Sequence, residues 1–208
     1  MTGPASMTAA LLIFASAASA NAQNAAPPSG KQAVAVSSTA STASKASKAK
    51  VRRMSTAEMI RSARSAAPSE IADRAAVLAA DSSGKMVELH GGTNGWTCMP
   101  DAPESPGLDP MCFDGPGMQW AKSWMSKEAK PGNTAPGLVY MLQGGSDISA
   151  KDPFQTTTRH YIASPPHYMI LWPYDPEKSG FSTMPKKTGT WIMWAGTPYA
   201  HLMINQAP

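Results

Sequence analysis

The chain has 208 residues, two cysteines, 42% hydrophobic residues and a formal net charge of +4. That charge is unevenly placed: Lys31, Lys45, Lys48, Lys50, Arg52 and Arg53 precede Met54 with no acid among them, while residues 55–208 net −2. The basicity therefore belongs to a tail, which removes the usual argument for nucleic-acid binding, a basic patch on a folded face.

In chain order, Met7 to Ala20 form a short apolar run ending in the small-x-small pattern Ala18-Ser19-Ala20, with a second such pattern at Ala20-Asn21-Ala22. This reads as a signal peptide over residues 1–20, too short to span a bilayer, although no Lys or Arg precedes the apolar run. No Cys follows to take a lipid, and no later stretch is apolar for long enough to cross a membrane. Residues 21–54 are mostly Ala, Ser, Thr, Lys and Pro. Such a segment buries too little apolar surface to offset its ordering entropy, so a disordered basic linker is expected there. Residues 55–208 suit one globular domain.

Ser55-Thr56-Ala57-Glu58 has capping-box spacing and predicts a short helix, interrupted at Pro68, with a second helical turn from Ser69. Residues 75–80 and 85–89, joined by Asp81-Ser82-Ser83-Gly84, predict a hairpin. Gly91–Gly95 reads as a tight turn and residues 100–116 as a Pro- and acid-rich loop. Met118, Ala121, Trp124 and Met125 recur at helical spacing and predict a helix over 117–128. Strands are expected at 137–143, 160–163, 167–172, 190–195 and 199–204. The fold class is α+β, β-rich, a mainly antiparallel sheet with a few short helices.

Thirteen residues separate Cys98 from Cys112 in a turn-rich stretch of the expected exported domain, and a disulfide is the leading reading. The spacing is not Cys-x-x-Cys, and no further Cys completes a zinc site. From Ser55 onward there are eleven Met against seven Leu. Met fills irregular gaps well, so structural use accounts for most of them. Two of them, however, belong to a repeated His-x-Met: His167-Tyr168-Met169 and His201-Leu202-Met203. In a strand, residues two apart face the same side, so each pair presents an imidazole beside a thioether. If the two strands are neighbours, all four side chains can share a face, and that is a ligand set for Cu(I). The same pattern also arises by chance in a Met-rich domain.

Asp101, Glu104, Asp109 and Asp114 form an acidic cluster that suits either Ca²⁺ or simple solvation, and it matches no EF-hand spacing. No nucleophile elbow, His-Glu-x-x-His, Walker loop or dinucleotide turn occurs, so no catalytic residues are assigned. His160, His167 and His201 could serve as bases with Asp147 or Asp152, but no spacing selects a pair. Trp172, Trp191, Trp194 and Tyr199 suit a ligand wall or the core.

The strings Gly92-Thr93-Asn94-Gly95-Trp96-Thr97-Cys98-Met99-Pro100-Asp101, Asp109-Pro110-Met111-Cys112, Tyr140-Met141-Leu142-Gln143-Gly144-Gly145 and residues 193–203, Met-Trp-Ala-Gly-Thr-Pro-Tyr-Ala-His-Leu-Met, resemble an uncharacterised family of exported bacterial proteins. The resemblance covers roughly residues 60 to 205. It implies export, a single domain, a bacterial source and hence a periplasmic or secreted location, and it carries over no catalytic residue.

The function expected is a non-catalytic binding or envelope-interaction module, with copper as the specific candidate cofactor. The rival is a small secreted enzyme, hydrolase-like, with unidentified His and Asp residues. A third is a structural protein whose basic linker touches an anionic envelope surface. No transmembrane segment and no nucleic-acid partner are expected.

Overall fold

A computed structural model describes residues 54–102 and 104–206; the expected signal peptide and all but the last residue of the expected linker lie outside them. Helix α1 (Thr56–Arg64) opens on the capping box read from the sequence: the Ser55 side chain accepts from Glu58 N–H, and the Glu58 carboxylate accepts from Ser55 N–H at 2.8 Å. Pro68 separates it from α2 (Ser69–Ala72). Strands β1 (Ala76–Ala80) and β2 (Met86–His90) form the expected hairpin, its turn held by Asp81, which accepts from the backbone N–H of Ser83 and Lys85.

The loop expected over 100–116 is interrupted. It is bracketed by β3 (Thr97–Met99) and contains β4 (Met111–Phe113), two three-residue strands that pair antiparallel and set Cys98 opposite Cys112. Helix α3 (Gly115–Met125) starts two residues earlier than its apolar spacing indicates, because the Asp114 carboxylate caps Gly117 N–H at 2.7 Å and Pro116 suits the first turn. It also stops three residues early, just before Lys127 turns to φ 54°. There follow β5 (Gly137–Met141), β6 (Gly145–Asp147), β7 (Ile162–Ser164), β8 (His167–Leu171), α4 (Pro176–Ser179), β9 (Gly189–Met193) and β10 (His201–Asn205). The strand expected from 199 begins at His201, since residues 194–200 make the turn that joins β9 to β10.

Eight strands form one sheet in the order β2-β1-β3-β4-β5-β8-β10-β9, with every neighbouring pair antiparallel except β1–β3. β6 and β7 pair separately. Alternation along the strands gives the sheet two differently built faces. On one, small side chains of α1, α2 and the turn between them (Ala63, Ala72 and Ala66) pack on Val77 and the Cys98–Cys112 disulfide. On the other, α3 packs Met118, Trp120 and Ala121 over Phe113, Val139, Met169 and Met203. Helix and sheet approach there at backbone contact: a Cβ on Gly137 would lie 2.5 Å from Gly117 Cα. Among the described residues no helix is long and apolar enough to cross a membrane.

Candidate functional site

β8 and β10 are neighbours, and their register sets Met169 directly opposite Met203. His167 precedes Met169 by two residues and His201 precedes Met203 by two. Because the strands are antiparallel, the imidazoles flank the thioether pair diagonally, separated by four residues or about 13 Å along the strand direction. All four side chains are buried on the α3 face, His167 at 1% and His201 at 2% exposure. The sharing of one face that the sequence left conditional on strand pairing is therefore present.

Both imidazoles are held in the same way. His167 Nδ1 lies 2.7 Å from the Pro165 carbonyl, and His201 Nδ1 lies 3.0 Å from the Tyr199 carbonyl. A carbonyl oxygen only accepts, so each Nδ1 carries the proton and each neutral ring keeps its lone pair on Nε2. Among the described residues His167 Nε2 is buried with no hydrogen-bond partner. Burial pushes the His167 pKa down against the pull of the Pro165 carbonyl. Burial likewise brings His201 down to about 4, opposed by the Tyr199 carbonyl and helped by His167. Both rings are neutral at physiological pH, as a metal-ligating imidazole must be. A backbone carbonyl on the distal nitrogen is also the usual way that ligating histidines are oriented.

These residues line a cavity of about 280 Å³. Its sheet wall includes Met141, Met169, Met193 and Met203 with the two histidines, and Trp120 and Trp124 of α3 form another side. Further sides come from the loop between β3 and β4, with Asp109, and from residues 142–166, the excursion between β5 and β8, which contributes Asp147, Ser149 and Asp152. Three bonds strap that excursion down. Trp194 Nε1 donates to the Ser149 carbonyl at 2.8 Å, Trp194 N–H to the Ala150 carbonyl at 2.9 Å, and Trp124 Nε1 to the Pro153 carbonyl at 2.9 Å. Trp194 makes both of its bonds from φ 54°, a left-handed backbone that ends β9 and turns its amide toward the strap. His201 meets the Trp194 and Trp120 rings edge-on, with centroids 5.0 and 5.5 Å away.

The charged residues lining the cavity are Asp109, Asp147 and Asp152, and neither Lys nor Arg is among them. Asp147 has its pKa pushed up to about 6, chiefly by burial, with Ser164 opposing and Asp109 adding to the rise. The site thus combines neutral nitrogen and sulfur donors with a carboxylate side, which suits a cation rather than an anion.

Of the other sequence candidates, three of the four residues of the acidic cluster are spent on backbone. Asp114 caps α3, Asp101 accepts from Asp109 N–H at 2.7 Å, and Asp109 accepts from Ser146 N–H at 2.5 Å. No group of three or more His, Cys, Asp or Glu converges among the described residues, so these carboxylates do not form a Ca²⁺ cage. His160 is exposed and apart from the cavity, whereas Asp147 and Asp152 share it with His167 and His201. Trp191 and Tyr199 are core residues; Trp194 is the one of the four singled-out aromatics that faces the cavity. Sequence reading missed Met141 and Met111 as cavity residues. The signal for Met141 was present, since it closes the alternating run of β5. For Met111 there was none, because β4 is too short to show a period. No protein-family model, no curated protein and no solved structure matches the chain.

Proposed function

We propose that this domain is an exported, non-catalytic module that binds Cu(I) through His167, Met169, His201 and Met203. One observation carries the reading: two His-x-Met pairs face a single buried cavity from adjacent strands, with both Nδ1 atoms committed to carbonyls. The uncommitted Nε2 of each ring and two opposed thioethers are donors that favour a soft monovalent ion over Zn²⁺ or Ca²⁺. The disulfide, the signal-peptide pattern and the resemblance noted above support a periplasmic or secreted location. The test is uptake of Cu(I), or of Ag(I) as its redox-inert counterpart, measured by native mass spectrometry. The wild type gains bound metal. H201A and the paired M169L/M203L each lose the ion at this site while keeping the wild-type circular dichroism spectrum. Uptake unchanged in all of these variants rejects the site.

A second reading, a small hydrolase, draws on Asp147 lying in the same cavity as His167. A carboxyl whose pKa is raised to about 6, in one cavity with an unprotonated imidazole, is a general acid–base combination. It separates cleanly from the first: D147N would abolish turnover of a screened ester or amide substrate and leave metal uptake intact.

A further inference from the structure

The four inner ligands are almost wholly buried, so an ion reaching them from solution must first lose its water or its carrier elsewhere. A second set of thioethers adjoins them. Met99 is directly opposite Met111, and Met141 is directly opposite His167. The β4–β5 register, Cys112 with Tyr140 and Phe113 with Val139, continues to bring Met111 beside Met141. Met99, Met111, Met141 and His167 therefore form one row across four adjacent strands, each about 4.8 Å from the next, on the cavity face. Within it Met111 is the half-buried member, while Met99 on one side and Met141 and His167 on the other are buried, at 8%, 7% and 1% exposure. Met111 and Met141 both line the cavity.

Gly145 shows how closely the row meets the acidic side. A Cβ placed on it would lie 2.9 Å from the Met141 methyl, 3.5 Å from Asp109 Oδ1 and 3.7 Å from His167 Cε1. A thioether, a carboxylate and the imidazole with the unpartnered Nε2 thus gather around the space this glycine leaves open. Core packing explains a row of methionines, but it does not explain a half-buried one at the acidic end of a cavity that holds uncommitted imidazole nitrogen.

We propose that Met111 and Met141, backed by Met99, form a second, outer site for a soft monovalent cation, which passes from there to His167 and the inner ligands. This rests on the Cu(I) reading of the inner site. Transfer is ligand exchange alone: as the metal–Nε2 bond forms, a metal–thioether bond breaks, the metal stays in its +1 state and no electron moves. The Asp109 carboxylate raises the local concentration of the cation without needing to bind it tightly.

The experiment titrates the full chain, disulfide intact, with Ag(I) under native mass spectrometry and follows quenching of indole fluorescence by Ag(I) after rapid mixing. Trp194 and Trp120 lie against His201, so quenching reports the inner site. Wild type should bind two ions. M111L/M141L should bind one and fill the inner site at least tenfold more slowly, and M169L/M203L should also bind one. M111L alone changes a half-buried side chain to a near-isostere, so it tests the same loss with little risk to folding. Two ions retained in M111L and M111L/M141L would overturn the outer site. So would a single ion in the wild type that fills at the same rate in both variants, and in that case the inner site stands. No ion bound by any form would overturn both.

Discussion

His201 and Asp147 line the same cavity, and burial moves their proton affinities in opposite directions. His201 is held down at about 4 against an ordinary 6.5, so between those values the unfolded chain takes up a proton that the folded chain refuses. Its contribution to stability is complete above pH 6.5 and is lost as pH falls toward 4. Asp147 is raised to about 6 from 3.8, so in that window the folded chain holds the extra proton. Its contribution is complete below pH 3.8 and is lost as pH rises through 6. Each group alone would tilt stability by about 1.4 kcal/mol per pH unit, with opposite signs, over most of pH 4 to 6. His167, also pushed down by burial, adds to the His201 side. The apo wild type should therefore lose some stability, read as its urea midpoint, on acidification from pH 6 to pH 4, with Asp147 offsetting part of the loss. D147N removes that offset and should lose stability more steeply over the same interval. H201Q should lose less than the wild type. A D147N profile no steeper than the wild type would mean that Asp147 holds no extra proton in the folded protein.

At the scale of elements, the cavity depends on how closely α3 approaches β5, because α3 carries Trp120 and Trp124 into the wall. Gly137 and Gly117 permit that approach, and G137A must widen it. Overpacking of this kind costs about 1–3 kcal/mol, and it should lower the unfolding free energy by that amount, read from chemical denaturation. G84A is a control, since no atom lies within 4 Å of its added Cβ although the turn there holds φ +84°. It should cost only the strain of the left-handed backbone, about 1 kcal/mol. Much at this scale was legible in the chain. The capping box, the β1–β2 hairpin and the alternation of β5, β8 and β10 all carry local signals, and the His-x-Met pairs follow from period-two spacing. What joins them does not. β8 and β10 are separated along the chain by α4 and β9, so the pairing of Met169 with Met203 is a tertiary fact. β3 and β4 are three residues each, beside Pro100 and Pro110, too short for any period to register. Within the roof of residues 142–166 the chain signals only a strand near 160–163, close to β7, and the role of the segment comes from indole N–H groups donated by Trp124 and Trp194, distant in the chain.

For the molecule as a whole, the disulfide and the cavity sit on opposite faces of the sheet and should respond to different treatments. Cys98 and Cys112 join β3 to β4 beneath α1, with Cα atoms 3.9 Å apart, whereas the ligand side chains face α3. Closing a loop of this length limits the unfolded chain and contributes about 3 kcal/mol. C98S/C112S should therefore lower the unfolding free energy by about that much. The cavity lies across the sheet from the bridge, so the folded fraction of that variant should still bind Ag(I) with the wild-type stoichiometry. Ligand binding to the folded state alone raises stability by about 2.7 kcal/mol at a hundredfold excess over the dissociation constant. Saturating Ag(I) should thus restore most of what the missing bridge removes, measured as the chemical-denaturation midpoint with and without metal. M169L/M203L in the same cysteine-free background should show a much smaller recovery. If Ag(I) instead protected both backgrounds equally, the stabilising ion would be held somewhere other than the β8–β10 methionine pair. The two faces would then have to be reconsidered as one coupled unit.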